Sequence, residues 1–383
     1  VKKWNVNNPE RIIIMRESNN KPSFPGSVTY SFEYQKEHFW RCRYTSSEVT
    51  SLHYKILLPL DVKPVSIKPE LIAGTNNLYA IGCYQTISGA KSPFTEVDVV
   101  YEHINNDIDA SDWGENILNL LGEEILYCKY YYSVSGRYAD FLTKKDIDNE
   151  TITSRIRVFK NYDFENNRAN VIMVKACCNW KDYESLAEDL FHCVKFFTLI
   201  NDSKWHLAEE LKSINLDMPA NYSFYYPASW LYSERYKNEK MSYYSLSLKE
   251  ESNVHGIIDG YFLYHDAAIN KEQICKLIVS QLKENNYPEI DEISLRERKD
   301  TFNKNITELW AGELKVNNAR NGEGMLVAFA GKIQESWFYV IGSFALQKQN
   351  FGSWAAGKRA IDIILNSLNN YDLEYEDQFY LEH

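Results

Sequence analysis

The sequence predicts an α+β protein made of two tandem repeats, each an antiparallel β-sheet packed with a mid-domain helix and a C-terminal helix. Three observations lead to this fold class. The chain of 383 residues is long enough for two domains of roughly 150 residues each. Its 44% hydrophobic and 25% charged residues are the balance of a globular protein. Finally, strand-like and helix-like segments of the first half recur in the second half at a nearly constant distance.

The first recurring element is a strand that ends at a proline. The segment HYKILLPLDV begins at His53 and aligns with NYSFYYPASW, which begins at Asn221. Pro59 then falls on Pro227, and 227 minus 59 gives a distance of 168 residues. Because proline has no N–H to donate to a neighbouring strand, we expect both strands to end at these positions.

The C-terminal helices of the two halves are related by the same distance of 168 residues: Tyr183 aligns with Phe351 and Cys193 with Ile361. The matched positions recur at helical spacing, which indicates one buried face on each helix. Strand-like runs precede both helices, at 137–142, 154–160 and 170–178 in the first half and at 307–316, 324–333 and 337–346 in the second. Each half is therefore expected to end with three strands and a helix.

A further helix is predicted in the middle of each half from its N-terminal cap. Asp112 with Glu115 precedes one apolar helical run, and Asn270 with Gln273 precedes the other. A short polar residue followed three positions later by a Glu or Gln is typical of a helix N-terminus.

These elements predict the domain boundaries. We expect an N-terminal extension over 1–50, with strand-like segments at 11–16, 28–34 and 39–44 and no counterpart in the second half. The first domain spans 51–201 and the second spans 221–370. Between them, the amphipathic stretch KWHLAEELKSI predicts a helical linker over 202–220. Residues 371–383 form a tail whose last three residues, Leu-Glu-His, are similar to the remnant of a polyhistidine tag.

The order of these motifs resembles the PsbP-like superfamily. The resemblance rests on the strand YSFYYPASW, the mid-domain helix, the antiparallel strands and the terminal helix WAAGKRAIDIILNSL. It covers 221–369 and, with Val62 in place of Trp230, 53–201. The superfamily includes the extrinsic subunit P of photosystem II, a Ran-binding nuclear import factor and bacterial domains of unknown function, among them secretion adaptor chaperones and envelope lipoproteins. The resemblance implies a non-enzymatic protein that binds another protein or a ligand on its sheet.

Charge and cysteine usage limit the partners and the compartment. The 42 basic and 53 acidic residues give a net charge of −11, so we expect neither nucleic acid nor an anionic membrane surface as a partner. No apolar run reaches the roughly 18 to 20 residues of a transmembrane segment. The seven scattered cysteines contain no CxxC pair, which favours buried thiols in the cytoplasm. The alternative is an exported or envelope-associated protein whose leader has been removed, since the chain begins without Met.

No motif of a familiar enzyme or cofactor site is present. The segment GSWAAGK at 352–358 has the spacing of a phosphate-binding loop, but Arg359 stands where that loop needs Ser or Thr, and Trp354 is bulky where small residues are needed. The sequence contains no G-x-S-x-G, H-E-x-x-H or G-x-G-x-x-G motif. We therefore predict a protein that is not an enzyme and has no catalytic residues, cofactor or bound metal.

Aromatic clusters suggest a binding surface, because such residues are favoured where proteins bind partners. The candidate surface residues are Tyr130, Tyr131, Tyr243 and Tyr244. They lead to the hypothesis of an adaptor-like or chaperone-like protein that recognises a polypeptide or a hydrophobic segment on exposed sheet faces.

A competing hypothesis is an enzyme or small-molecule receptor with a pocket between the two repeats. His103 and His265 are its candidate pocket residues, because each closes a strand just before an acidic stretch. The identity of the partner and the oligomeric state are left open by the sequence.

Overall fold

The fold was analysed in a computed structural model. It describes residues 22–370 apart from 46, 67–69, 73–74, 76, 134–135, 164, 167, 203–206, 217–221, 238–240, 251–252, 264–268, 286, 288, 299–302, 319–321 and 334–335. The chain divides into two compact units. The first unit comprises residues 1–105 and 109–208, and the second comprises 106–108 and 209–383.

The described part of the first unit contains three helices and eleven strands. The helices are α1 (Phe32–His38), α2 (Ala110–Leu120) and α3 (Tyr183–Lys195). The strands are β1 (Phe39–Tyr44), β2 (Tyr54–Pro59), β3 (Val62–Ser66), β4 (Glu70–Leu71), β5 (Tyr79–Thr86), β6 (Thr95–Ile104), β7 (Glu124–Ser133), β8 (Gly136–Ile147), β9 (Glu150–Asp163), β10 (Arg168–Asn179) and β11 (Thr198–Leu199).

The described part of the second unit contains two helices and ten strands. The helices are α4 (Lys271–Glu284) and α5 (Phe351–Ser367). The strands are β12 (Leu211–Leu216), β13 (Tyr222–Pro227), β14 (Trp230–Lys237), β15 (Met241–Glu250), β16 (Asn253–Leu263), β17 (Arg296–Glu297), β18 (Ile306–Asn318), β19 (Gly322–Ile333), β20 (Ser336–Ala345) and β21 (Asn369–Asn370).

Both units have the same sheet topology. A small sheet has the order β1-β2-β11 in the first unit and β12-β13-β21 in the second. A large sheet has the order β3-β5-β6-β10-β9-β8-β7 in the first, with β4 also paired to β5, and β14-β15-β16-β20-β19-β18-β17 in the second. All pairings are antiparallel. The predicted α+β class is confirmed, and the two halves are consistent with tandem repeats.

The aligned segments of the sequence occupy matching elements. β2 and β13 begin at Tyr54 and Tyr222 and end at Pro59 and Pro227, as the alignment predicts. The helices α3 and α5 begin at the aligned residues Tyr183 and Phe351.

Each large sheet carries a helix on either face. In the first unit, α3 and the small sheet cover one face, where Ile172, Val174 and Ala176 of β10 join the core. Helix α2 packs against β7, β8, β9 and β10 on the opposite face. Successive residues of each strand point to alternate faces, so the same strands contribute side chains to both helices. The second unit repeats this arrangement, with α5 against β13, β16 and β20 and α4 against β19 and β20.

The prediction of a helical linker is wrong over residues 211–216. These residues form β12, which pairs with β13 and buries Ile214 and Leu216. The apolar residues of this stretch are spaced in a way that suits either a helix or a strand. Pairing with β13 favours the strand over the helix that local propensity suggests. β12 occupies the place in its small sheet that β1 occupies in the other, so residues 39–44 do have a counterpart in the second half.

Two further details of the sequence prediction are corrected. The strand predicted at 28–34 is not formed, because α1 begins at Phe32 behind a Ser31 cap whose side chain accepts from the Tyr34 N–H. The N-cap of α2 is Asp109 rather than Asp112, which lies inside the helix. The capping box of Asn270 and Gln273 is present as predicted. The predicted strand at 11–16 and the tail at 371–383 lie outside the described residues.

The cysteines are all free thiols, and five of the seven are buried. The half-buried ones are Cys83 and Cys275. Within the described segments, no helix combines the length and the apolar character needed to span a membrane.

Candidate functional site

A partly exposed strip of alternating aliphatic and serine side chains crosses the second unit's large sheet on the face that carries α4. One row of paired residues forms the strip, which we define as Leu231, Ser247, Ile257 and Ser343 on β14, β15, β16 and β20. Leu231 is 50% exposed and Ile257 is 38% exposed. Val254 extends the strip along β16 and is also 50% exposed. Branched aliphatic side chains on a sheet face are normally buried, so this group is a candidate contact surface.

A pocket of about 170 Å³ opens in the strip at β16 and β20. Its lining is about half polar and half apolar and comprises Val254, His255, Gly256, Ile257, Tyr287, Val316, Glu323, Gly324, Ser343, Phe344, Ala345 and Gln349. Gly324 keeps one wall open, since a Cβ there would lie 3.1 Å from the Phe344 carbonyl oxygen and 3.8 Å from Val316.

A pair of hydroxyl groups forms the polar part of the pocket wall. Tyr287 follows the C-terminus of α4, and its backbone N–H donates to the Leu282 carbonyl at 3.0 Å. Its hydroxyl is hydrogen-bonded to Ser343 Oγ at 2.9 Å. These two hydroxyl groups are therefore already partnered, whereas His255, Glu323 and Gln349 add further polar groups to the lining.

The matching position of the first unit is filled by an ion pair. Lys175 of β10 lies 168 residues before Ser343, and its Nζ is 2.5 Å from Glu123 Oε1. Glu123 follows α2 as Tyr287 follows α4, with its N–H donating to the Leu118 carbonyl at 2.9 Å. The second Glu123 oxygen accepts from Thr143 Oγ1 at 2.6 Å.

Asp98 stands in the first unit where Ile257 stands in the second, because it is the β6 partner of Lys175. Burial, followed by the charge of Glu96, raises the pKa of Asp98 to about 7. Cys83, its partner on β5, and Lys175 oppose the shift. The two units thus place different chemistry at one structural position: a charged cluster in the first and an open pocket of mixed polarity in the second.

Two of the tyrosines predicted as surface residues are buried, so that prediction is wrong for them. Tyr244 is fully buried, with its ring 4.8 Å from that of Phe224. Tyr130 is buried against α2, and its hydroxyl donates to the Glu115 carboxylate. Both side chains belong to the core.

The other two predicted tyrosines are half-buried. Tyr243 stacks on Tyr261 at 4.6 Å and donates to Asp259 Oδ1 at 3.0 Å. Tyr131 stacks on Tyr138 at 4.7 Å. None of the four tyrosines lines the pocket, and a binding role for Tyr131 and Tyr243 stays a prediction.

The structure describes one of the two predicted pocket histidines. His103 is half-buried at the end of β6, with its ring edge-on to Tyr101 at 5.1 Å. Burial and the Arg168 charge lower the pKa of His103, so the neutral ring is favoured. His265 lies outside the described residues. Whether either histidine has a role in a pocket stays a prediction.

The segment 352–358, which has the spacing of a phosphate-binding loop, lies on α5. Its Trp354 and the next residue after it, Arg359, are both buried. Among the described side chains, no group of three or more His, Cys, Asp or Glu is arranged to hold a metal ion.

Comparisons with known proteins give likenesses of structure only. No family model and no curated protein matches the sequence. The solution structure of cyanobacterial PsbP (CyanoP) from Synechocystis sp. PCC 6803 matches with a TM-score of 0.30 and 10% identity, covering 46% of this chain and 98% of that one. LpqN, involved in cell envelope biogenesis of Mycobacterium tuberculosis, matches with a TM-score of 0.27 and 10% identity, covering 45% and 98%.

Proposed function

We propose that the chain is a non-enzymatic binding protein of adaptor or chaperone type, which recognises a hydrophobic segment of a polypeptide on the strip of the second unit. The observation that carries the proposal is the side-chain-sized pocket set among the exposed residues Leu231, Val254 and Ile257.

The size of the pocket favours a single side chain over a whole small molecule. Sites for drug-sized ligands and cofactors are typically about 300–1,000 Å³, whereas an apolar cavity of about 150 Å³ accommodates a benzene molecule. At about 170 Å³, the pocket suits one phenyl or branched aliphatic group. Such a group, attached to a peptide, would contact Ile257, Val316 and Phe344 of the lining.

The strip also has the dimensions of a short peptide. It runs across four adjacent strands, and three strand spacings of roughly 4.8 Å give a length of about 14 Å. An extended segment of about four residues covers that distance. Side chains on either side of the anchored one would then contact Leu231 and Val254.

We predict that Ile257→Asp weakens peptide binding at least 10-fold, because it replaces the aliphatic side chain that lines the pocket with a charged one. The probe is a fluorescein-labelled peptide, Gly-Ser-Leu-Phe-Leu-Ser-Gly, whose affinity is measured by fluorescence anisotropy. The matched control is Leu277→Asp: Leu277 lies on α4 away from the pocket, and its side chain is 39% exposed, nearly the same as the 38% of Ile257.

We expect the control variant to change the affinity less than 2-fold. A peptide with Gly added at both ends should bind the parent within 2-fold of the original peptide. Replacing the probe's Leu-Phe-Leu by Ser-Gly-Ser should abolish binding. The proposal is wrong if Ile257→Asp binds the apolar peptide as well as the parent does, or if neither protein binds it.

A further inference from the structure

The first unit also contains a candidate binding surface, and a segment of its own chain covers that surface. Residues 22–30, which we call the strap, run over α3 without forming a helix or strand. Three strap hydroxyl groups donate to three carboxylates of α3: Ser23 to Glu184 at 2.5 Å, Thr29 to Glu188 at 3.0 Å and Tyr30 to Asp189 at 2.9 Å. The strap is therefore held largely by side chains, and Ser23, Gly26, Ser27, Val28 and Thr29 remain exposed.

The strap inserts one aromatic ring into the unit. The ring of Phe24 lies 3.6 Å from the guanidinium carbon of Arg155 and stacks on Tyr127 at a centroid distance of 5.7 Å. Next to it, the Tyr183 hydroxyl donates to the Ser23 carbonyl at 2.5 Å. Arginine, with its planar and weakly hydrated guanidinium, is well suited to receive an aromatic face.

Arg155, which lies beneath this ring, is unusually buried for an arginine: it is 1% exposed. Its Nη2 donates to Asp140 at 3.1 Å, but Asp140 also accepts two hydrogen bonds from Arg157. Two guanidinium groups thus share one carboxylate. Among the described residues, Arg155 Nε and Nη1 have no hydrogen-bond partner, and the Phe24 ring covers the guanidinium group that carries them.

We propose that the surface under the strap is a peptide-binding groove, occupied in this chain by residues 22–30, and that its partner is an extended segment of another polypeptide carrying a phenylalanine next to hydroxyl residues. The strap itself supplies the evidence for this occupant. It places a phenyl ring on Arg155 and Tyr127 and hydroxyl donors on the acidic face of α3. The groove lies in the first unit, and this proposal does not rest on the strip of the second.

Competition between the strap and a peptide tests the proposal in the full chain. The probe is a fluorescein-labelled peptide, Lys-Pro-Ser-Phe-Pro-Gly-Ser-Val-Thr-Tyr, which repeats the strap sequence. The double variant Phe24→Ala/Tyr30→Phe removes the inserted ring and one anchoring hydrogen bond. Fluorescence anisotropy is expected to show at least 10-fold tighter binding to this variant than to the parent, in which the strap competes.

Three controls make the outcome decisive. Phe32→Ala removes a side chain that is 68% exposed on α1, and we expect this variant to bind like the parent. A probe with alanine in place of its phenylalanine should lose at least 10-fold in affinity for the double variant. Tyr127→Ala in the double variant should weaken binding similarly, and circular dichroism establishes that each variant is folded.

The proposal is overturned if the folded double variant and the parent bind the probe equally, or if the alanine probe binds as well as the original. Should the double variant fail to fold, Ser23→Ala/Thr29→Val loosens the strap while keeping Phe24, and the same two comparisons apply to it. The strip variant Ile257→Asp should bind the strap peptide like the parent, so failure of this proposal is distinguishable from failure of the proposed function.

Discussion

Replacing Asp140 with asparagine will lower the free energy of unfolding by about 3–5 kcal/mol, the range found when one partner of a buried ion pair is removed. Asp140 is fully buried and neutralises two guanidinium groups, those of Arg155 and Arg157. The shape of the side chain is retained in asparagine, so the loss reports charge rather than packing. Urea unfolding followed by circular dichroism measures it.

The control for this prediction is Asp146→Asn on the same strand. Asp146 is exposed and accepts one hydrogen bond from Thr151, so we expect a change within about 0.5 kcal/mol. Adding Arg157→Gln to Asp140→Asn should recover part of the loss, because it removes one of the two uncompensated charges. A loss below 1 kcal/mol for Asp140→Asn would contradict the shared-carboxylate interpretation.

The pH dependence of this pair has a defined sign. Burial alone would raise the pKa of Asp140, but hydrogen bonds and charge from Arg157, with the charge of Arg155, hold it below its usual value. The native state therefore binds the Asp140 proton less tightly than the unfolded state does. Its stabilising contribution is present above the unfolded pKa near 3.9 and is lost as the pH falls through the lower native value.

The sequence predicted the architecture well because its signals are local or repeated. The strand ends at Pro59 and Pro227 follow from the missing N–H of proline, and the capping box at Asn270 follows from its own side chains. The sequence predicts a helix for the linker because the spacing of its apolar residues fits both the period of a helix and the period of a strand. Only the pairing of β12 with β13, which local propensity does not encode, decided the outcome.

The candidate sites were harder to predict because they depend on register. Tyr243 and Tyr244 are adjacent on a strand, so they point to opposite faces and cannot both be exposed on one sheet face. That geometry was available from the sequence. The pocket was not, since its wall combines β16, β18, β19, β20 and the residue Tyr287 after α4.

The difference between the two units leads to the last prediction: Asp98→Asn will stabilise the chain above neutral pH. Burial and the charge of Glu96 raise the pKa of Asp98 from 3.8 to about 7. The native state then holds this proton more tightly than the unfolded state does. The contribution of Asp98 to stability is fully present below pH 4 and is lost as the pH rises through 7. We expect this loss to be on the order of a few kcal/mol.

Thermal unfolding between pH 5 and pH 8 distinguishes the variant from the parent. The parent should lose stability across this range, whereas Asp98→Asn should be flatter and more stable at pH 8, because an amide has no proton to release. Glu150→Gln, an exposed change on the same sheet, should run parallel to the parent. Parallel curves for Asp98→Asn would mean that Lys175 keeps this carboxyl ionised in the native state. The first unit would then hold Lys175 beside two ionised carboxylates, those of Glu123 and Asp98, at the position where the second unit has its pocket.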